Sequence, residues 1–273
     1  MRQPGLSQAA ADIDLTLALA TARYAAQAGG AIVRASGLGA HVTETKGPGD
    51  YVTAVDRQSE EVIVRVLSSA FPHLPILAEE RGGERKPTGW VVDPIDGTTN
   101  FSRGFPLVGV SVALLVDGVP AVGCVHAPFL GWTYSARQGM GAFDEKGRRL
   151  QLGDPAAEHS LITTGFPFKA PERIPRSLAA LDKVLNGFED ARRTGAASLD
   201  LAFTASGVFN GYFELGLKVW DIAAGALLVT EAGGVVSDWD GAQRHLDSGD
   251  ILAGSPLVHA ALLQATRTVS GAH

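Results

Sequence analysis

Apolar residues in the first 100 positions recur first at helical spacing and later in short runs. Residues 12–36 place an apolar side chain at every third or fourth position, and Gly37 and Gly39 end this pattern. Such a period predicts a long amphipathic helix. The predicted elements here are residues 12–36 (helix), 41–46 (strand), 56–67 (helix), 75–78 (strand) and 90–92 (strand). Each of the last two strands leads directly into acidic residues.

Strand-like runs follow between residues 107 and 143, and Asp117-Gly118 between two of them is a strong hairpin signal. Helices followed by consecutive strands indicate an α+β arrangement, whereas strands and helices alternate beyond residue 158, as in α/β layers. The predicted elements there are residues 159–164 (strand), 174–185 (helix), 190–193 (strand), 199–207 (helix), 212–214 (strand), 221–232 (helix), 234–238 (strand) and 256–266 (helix). We therefore expect an α+β half at residues 1–152 and an α/β half at 153–273.

Composition narrows the class of protein. The 273 residues are 45% hydrophobic, and 23 basic against 29 acidic residues give a net charge of −6. No basic cluster offsets this charge, so the sequence predicts no nucleic-acid-binding surface. Cys124, the single cysteine, cannot form an intrachain disulfide, and its apolar surroundings favour a core position. Neither a secretory signal nor an apolar run long enough for a bilayer is visible, which predicts a cytoplasmic protein.

The segment DPIDGTTN at residues 93–100 carries the most specific chemistry. Asp93 follows an apolar strand, Asp96 comes three residues later, and Gly97 lets the backbone approach a ligand closely. If Gly97-Thr98 opens a helical turn, its free N–H groups suit a phosphate. Two carboxylates would repel that phosphate unless cations lie between them, and Mg²⁺ prefers such oxygen ligands. Asp93 could then be shared by two ions, with the Ile95 carbonyl as another ligand.

Three further carboxylates could join this cluster. Glu79 ends the strand before Asp93 and would extend the set of oxygen ligands. Asp56 lies at the start of a predicted helix, where it is either an N-cap or, beside a hydroxyl such as that of Thr98, a group that polarises water. Asp221 precedes an apolar helix, so it is either another N-cap or a metal ligand that joins the two halves across a cleft.

Several segments together resemble the inositol monophosphatase family of magnesium-dependent, lithium-sensitive phosphatases. They are GDYVTAVD (49–56), AEE (78–80), DPIDGTTNFSRGFP (93–106), WDIAAG (220–225) and EAGG (231–234). Within the family, TGFPFKA (164–170) and RRTGAASLDLAF (192–203) are similar to the bacterial SuhB type. The resemblance implies a layered αβαβα sugar-phosphatase fold and a homodimer.

The resemblance also implies residue roles. The first Mg²⁺ would be held by Glu79, Asp93 and the Ile95 carbonyl, and the second by Asp93, Asp96 and Asp221. A third, weaker ion would contact Glu79 through water. Ca²⁺ or Mn²⁺ could substitute, and Li⁺ would inhibit. The catalytic set would be Asp56, Thr98 and Glu79.

Substrate contacts follow from the same resemblance. The Gly97 and Thr98 amides would bind phosphate, and Lys46 would lie near a metal-site loop. Residues expected to face the polyol are Asp96, Gly195, Ala196, Ala197, Glu214 and Asp221. Ala196 departs from the serine or threonine that is common after this glycine, which removes a hydroxyl near the polyol.

The sequence leaves two questions open: which phosphate ester is the substrate, and whether the protein has a regulatory role besides catalysis. Thr99-Asn100-Phe101 favours inositol monophosphate, while related enzymes cleave fructose 1,6-bisphosphate or histidinol phosphate. SuhB-type proteins can also act with the transcription machinery, so a regulatory contact is a further hypothesis.

Overall fold

The structure, a computed structural model, describes residues 13–39, 43–47 and 50–267. Its helices are α1 (Leu15–Ser36), α2 (Ala54–Ala70), α3 (Thr98–Arg103), α4 (Ile174–Gly187), α5 (Ala197–Ala205), α6 (Val219–Glu231), α7 (His245–Ser248) and α8 (Pro256–Arg267). Its strands are β1 (Thr43–Gly47), β2 (Asp50–Thr53), β3 (Ile76–Ala78), β4 (Gly89–Asp96), β5 (Gly109–Val116), β6 (Val119–Ala127), β7 (Trp132–Arg137), β8 (Gly141–Phe143), β9 (Leu161–Thr164), β10 (Asp190–Arg192), β11 (Gly211–Glu214), β12 (Val235–Ser237) and β13 (Ile251–Gly254).

Two mixed sheets form the framework. The first has six strands in the order β3-β4-β5-β6-β7-β8, in which β3 and β4 are parallel and the other neighbours are antiparallel. The second has five strands in the order β10-β9-β11-β13-β12. β10, β9 and β11 are parallel to one another, and β13 is antiparallel to both of its neighbours, β11 and β12. β1 and β2 form a separate antiparallel pair.

The helices and sheets stack in five layers. α1 and α2 pack on one face of the six-stranded sheet, and α5 and α6 cover its other face. The five-stranded sheet lies beyond α5 and α6, and α4 and α8 cover its outer face. The predicted layered αβαβα fold is confirmed.

The two central helices are buried on nearly every side because a sheet covers both of their faces. All nine residues of α5 are buried, as are most of those in α6. The two helices also approach each other closely, since a Cβ on Gly225 would lie 2.4 Å from the Leu201 Cβ. This packing fixes the N-terminal ends of α5 and α6, which reach the site described below.

Most predicted elements are present, with several differences. β4 continues through Asp96 instead of ending before Asp93, and the predicted strand at 159–164 begins only at Leu161, after a short 3₁₀ turn at Ala157–His159. β2, β13 and α7 were not predicted, although the residues of β13 are all buried. His41 and Val42 of the first predicted strand lie outside the described residues. The division into halves at residue 152 stays a prediction. No described helix is both long and apolar enough to cross a lipid bilayer.

Candidate metal centre and active site

The site is built on the end of β4, where an irregularity brings two carboxylates together. In a regular strand, residues three apart point to opposite faces. The register between β4 and β5 shifts between Asp93 and Asp96, next to Pro94, which has no N–H for the ladder. Both aspartates can therefore contribute to one cluster. The prediction that the strand ends before Asp93 was wrong, because β4 continues through Asp96 with this shift in register.

Asp93, Asp96 and Asp221 form this cluster. One carboxylate oxygen from each lies within 4.8 Å of the others. Glu79 is adjacent, since it directly follows β3, which pairs with β4, and its carboxyl shares a hydrogen bond with that of Asp93. The four predicted metal-ligand side chains are thus brought together. Asp93 is only 1% exposed.

Asp96 is held by the N-terminus of α5. The Ser198 backbone N–H and hydroxyl both donate to Asp96 Oδ2, each at 2.6 Å, and the Ala197 N–H also donates to this carboxylate. A helix N-terminus favours a negative charge at this place. Ser198 was not predicted, because its partner lies 102 residues away in the chain.

Asp221 enters the cluster from the first turn of α6. It is not the N-cap that the sequence suggested as an alternative, since α6 begins at Val219 and Lys218 is the N-cap. Asp221 is the third helical residue, and its Oδ2 accepts the Lys218 backbone N–H at 2.7 Å. One oxygen thus fixes the helix start while the carboxylate faces the cluster.

Asp56 and Thr98 meet beside this cluster, as predicted. The Thr98 hydroxyl lies 3.2 Å from Asp56 Oδ1 and 3.0 Å from the Ile95 carbonyl oxygen. Asp56 is not an N-cap either: Thr53 caps α2, and Asp56 Oδ2 accepts the Thr53 N–H at 2.8 Å and its hydroxyl at 2.5 Å. These bonds fix Asp56 with Oδ1 directed at Thr98.

Burial and mutual repulsion raise the pKa values of the carboxyl groups in the cluster. Burial, followed by the charges of Glu79, Asp96 and Asp221, holds the pKa of Asp93 well above its ordinary value. Burial also raises the pKa of Asp96 to about 6, against the opposing hydrogen bonds from Ser198. The pKa of Asp221 is raised by burial and by Asp96 and Glu79. Four clustered carboxyl groups resist simultaneous ionisation unless a cation offsets their charge.

This donor set fits a hard divalent cation. It consists of carboxylate oxygens from β4, α6 and the end of β3, with the Ile95 carbonyl nearby. Oxygen ligands of this kind bind Mg²⁺ and Ca²⁺. The cluster therefore indicates a metal-binding site, and the residues present are suited to hold the ion.

Gly97 connects the cluster to α3. It caps α3 with φ 89° and ψ 39°, in the left-handed region, where a side chain is unfavourable. The predicted helical turn after Gly97 is thus present. The phosphate-binding role of the Gly97 and Thr98 amides stays a prediction.

The predicted polyol contacts lie at the start of α5 and at the end of β11. Ala196 is 1% exposed and belongs to the core between the sheets, with Ala197 as its neighbour. Gly195 has φ 87°. Glu214 Oε2 accepts the Tyr212 hydroxyl at 2.5 Å, and burial raises the pKa of Glu214 to about 7. Their substrate roles stay predictions, and the side chain of Lys46 lies outside the described part of the structure.

Two more supporting residues were missed. Glu60, in α2, accepts the backbone N–H groups of Glu80 and Arg81 at 2.8 and 3.0 Å, which fixes the segment after Glu79. The signal available in the sequence was its spacing, which places Glu60 on the same side of the helix as Ile63 and Leu67. The positive charge of Lys169 partly opposes the rise in the pKa of Asp96 and Asp221. Its sequence neighbourhood gave no indication of this position.

Comparisons with known proteins show which family this chain belongs to. The profile of the inositol monophosphatase family matches residues 14–270. The putative Nus factor SuhB of Neisseria meningitidis serogroup B is 44% identical over 247 residues, which cover 89% of this chain and 94% of that protein. An inositol-1-monophosphatase of Mesorhizobium japonicum is 43% identical over 225 residues, covering 81% and 85%.

A solved structure shows the same fold. The inositol monophosphatase from Anabaena superposes with a TM-score of 0.85 at 33% identity, covering 94% of this chain and 97% of that one. The matching fold, the profile over almost the whole length and the gathered carboxylates lead to one conclusion. This chain belongs to the inositol monophosphatase family, whose members are phosphatases acting on phosphate esters.

Proposed function

We propose that the protein is a magnesium-dependent phosphatase that hydrolyses inositol monophosphate to inositol and inorganic phosphate. The observation that carries this proposal is the carboxylate cluster of Asp93, Asp96 and Asp221 with the Asp56–Thr98 pair beside it. The names of related proteins from Mesorhizobium japonicum and Anabaena support the choice of inositol phosphate.

The proposed metal sites use the predicted ligands. Glu79, Asp93 and the Ile95 carbonyl would hold one magnesium ion, and Asp93, Asp96 and Asp221 a second. Bound magnesium would supply charge neutralisation at the phosphoryl oxygens and the departing alkoxide, and a lowered pKa for the attacking water. No covalent intermediate on the protein is needed.

The chain itself handles the proton of the attacking water. A hydroxyl has one proton and two lone pairs, so Thr98 can donate to Asp56 Oδ1 while accepting from a water molecule. As the water attacks phosphorus, its proton passes to Thr98 Oγ1 and the proton of Thr98 passes to Asp56. Burial raises the pKa of Asp56, which makes this carboxylate a stronger base.

Substrate orientation would come from the surrounding backbone and from Glu214. The Gly97 and Thr98 amides offer donors for phosphate oxygens, and Gly97 has no side chain that could cover them. Glu214, fixed by Tyr212, would accept from a polyol hydroxyl, together with Asp96 and Asp221. Positioning and electrostatics then do most of the catalysis, as is usual in phosphoryl transfer.

A matched pair of variants tests this mechanism. Thr98→Val removes the hydroxyl at nearly constant volume, and we expect kcat for inositol 1-phosphate to fall by about a hundredfold or more. Thr98→Ser keeps the hydroxyl and should stay within a few-fold of the original enzyme. Phosphate release is measured with Mg²⁺ and with EDTA. No Mg²⁺-dependent release, or histidinol phosphate cleaved at least tenfold better, would contradict the proposed function.

A regulatory role is the second candidate, because several relatives carry the name Nus factor SuhB, including that of Escherichia coli. It predicts a contact with the transcription machinery in addition to catalysis. Asp96→Asn separates the two: turnover should be lost while a regulatory partner is still bound. Inhibition by Li⁺, substitution by Ca²⁺ or Mn²⁺ and a homodimer remain predictions from family resemblance, and a cytoplasmic location remains a prediction from the sequence pattern.

A further inference from the structure

The segment between β10 and α5, residues 193–196, lies directly against the turn that carries Gly97. A Cβ on Gly97 would lie 3.3 Å from both the Gly195 carbonyl oxygen and the Ala196 Cβ. Gly195 has φ 87°, and its own Cβ would lie 3.0 Å from Asn100 Oδ1 in α3. This joining segment therefore borders the site where the proposed phosphate and polyol contacts adjoin.

The joining segment has few polar groups that it can offer to a substrate. Gly195 and Ala196, which are predicted to face the polyol, carry no polar side-chain atom. They can bind a hydroxyl only through their backbone N–H and C=O groups. A backbone group cannot rotate towards a ligand as a side chain does, so its contribution to binding depends on where the whole segment is held.

Thr194 is held from two sides. Its carbonyl oxygen accepts the side-chain N–H of Asn100 from α3 at 2.9 Å, and its hydroxyl donates to Asp200 Oδ1 in α5 at 2.7 Å. The same hydroxyl oxygen accepts the Ala196 N–H at 3.3 Å. A hydroxyl has one proton and two lone pairs, so it makes both contacts at once. Thr194 thus connects the backbone of the joining segment to α3 and to α5.

Asp200 is a buried carboxyl group that the packing of α5 does not require. It is 1% exposed, all nine residues of its helix are buried, and its Oδ1 also accepts the Thr163 hydroxyl from β9 at 2.7 Å. Burial holds the pKa of Asp200 well above its ordinary value, against the two threonine hydroxyls, and the charges of Glu214 and Asp96 also raise it. Burying such a group costs free energy even when it is hydrogen-bonded. Its bond to Thr194 supplies a functional reason for its presence.

We propose that Thr194 and Asp200 are positioning residues that hold the joining segment against the Gly97 turn and thereby set the selectivity for the alcohol part of the phosphate ester. The proposal rests on the proposed phosphatase function and deepens it, because it assigns the selectivity of that site. Thr194 and Asp200 do not contact the substrate themselves. They act through the backbone of Gly195 and Ala196.

Two phosphate esters with different alcohol parts test this proposal. Inositol 1-phosphate and p-nitrophenyl phosphate present the same phosphate group, but only the first has polyol hydroxyls. The ratio of their kcat/KM values, measured with Mg²⁺, reports on contacts to the alcohol part. A loss of folded enzyme lowers both values equally and leaves the ratio unchanged, so the ratio separates positioning from stability.

Thr194 and Thr163 provide a matched pair of variants. Their hydroxyls donate to the same Asp200 oxygen, each at 2.7 Å, and both side chains are buried. Thr163 lies inside β9, between β10 and β11, whereas Thr194 lies in the joining segment. Thr194→Val should lower the ratio by at least about tenfold, mainly by raising KM for inositol 1-phosphate. Thr163→Val should lose a similar amount of stability and keep the ratio, and Thr194→Ser should restore it.

Hydrogen exchange gives a second readout that needs neither substrate nor metal. The Ala196 N–H donates to Thr194 Oγ1, so in EDTA it should exchange faster in Thr194→Val than in Thr163→Val. Equal exchange in these two variants would contradict the positioning role. If Thr194→Val does not yield folded protein, Thr194→Ala removes the same hydroxyl and takes its place in both measurements.

The outcomes distinguish this proposal from the function on which it rests. If both esters are hydrolysed with Mg²⁺ and Thr194→Val changes the ratio no more than Thr163→Val does, the positioning role is wrong and the phosphatase function stands. If the original protein releases phosphate from neither ester with Mg²⁺, the proposed function fails and the positioning role fails with it.

Discussion

Asp93 is the most buried member of the cluster, and burial together with three neighbouring carboxyl groups raises its pKa. It is 1% exposed, and Glu79, Asp96 and Asp221 all raise its pKa. A group whose pKa is raised on folding adds stability only below its unfolded pKa, and this stability is lost as the pH rises through the folded value. Near neutral pH the metal-free cluster therefore destabilises the folded protein. Its presence is explained by its role in metal binding and not by stability.

Asp93→Asn should stabilise the metal-free protein and abolish activity. The amide keeps an oxygen for the Ile95 N–H, which now donates to Asp93 Oδ1 at 3.0 Å, and it removes one charge from the cluster. In EDTA at pH 7.5 we expect the Tm to rise by at least about 3 °C. The Tm increase that Mg²⁺ causes in the original protein should disappear with phosphate release.

The control for this variant is Asp117→Asn, in the exposed turn between β5 and β6. It should retain both the Mg²⁺-induced rise in Tm and full activity. A lower Tm for Asp93→Asn than for the original protein in EDTA would show that repulsion among these carboxylates does not destabilise the metal-free protein.

At the scale of elements, the site depends on how β4 passes into α3. Gly97 makes this junction with positive φ, and an added Cβ would lie 3.1 Å from the Leu107 carbonyl oxygen and 3.3 Å from the Ala196 Cβ. The strand, the short helix and the start of α5 therefore meet with no space for a side chain. This close approach sets the positions of Asp96 and Thr98 on either side of Gly97.

Gly97→Ala should reduce both stability and activity. The backbone conformation alone costs about 1 kcal/mol for alanine, and the crowded Cβ adds to this. We expect kcat to fall at least about tenfold, because Thr98 moves relative to Asp56. Urea unfolding and phosphate release measure the two effects.

Gly118→Ala provides the comparison, since Gly118 also has positive φ, 81°, but its Cβ would meet no heavy atom within 4 Å. It should lose a similar backbone contribution to stability and keep kcat. Equal activity in the two variants would mean that the Gly97 junction does not position the catalytic groups.

At the scale of the whole molecule, the two sheets hold the site between them. β4 and α3 belong to the six-stranded side, whereas α5 and α6 lie between the sheets and supply Ser198 and Asp221. Arg85 ties the first sheet's loop to α7 through Asp247 and the Leu246 carbonyl, 161 residues further along the chain. The contacts around α7 therefore connect the two sides of the molecule, and a change in them should alter the free energy of unfolding.

His245, in α7, gives these contacts a pH dependence. Burial lowers its pKa to about 4, with Arg85 acting in the same direction and Asp238 and Asp247 opposing it. The folded state therefore binds the proton less readily than the unfolded chain, and the protein loses stability as the pH falls below about 6.5 towards 4. His245→Gln should remove this contribution, which is about 2 to 3 kcal/mol at pH 4.5.

The measurement is the difference in unfolding free energy between variant and original protein across pH 8 to 4.5. This difference should shift in favour of His245→Gln as the pH falls, whatever its value at pH 8. His159→Gln, which replaces an exposed histidine, is the control. Parallel curves for His245→Gln and the original protein would exclude His245 as the titrating group.

The sequence by itself determined the periodic elements and identified the candidate metal ligands. The helix at Leu15–Ser36 and the hairpin at Asp117-Gly118 follow from local spacing and turn chemistry, which act over a few residues. The motif that carries Asp93, Asp96 and Thr98 is likewise contiguous, so its chemistry was visible before any fold was known.

Only the tertiary structure decided how these groups are held. The strand at Ile251–Gly254 is a short buried run with no periodic signal of its own. The shift in register at Pro94 depends on β5, and the bonds from Ser198 to Asp96 join residues that are distant in sequence. Local patterns cannot specify such pairs, because their energies depend on which surfaces the packed core brings into contact.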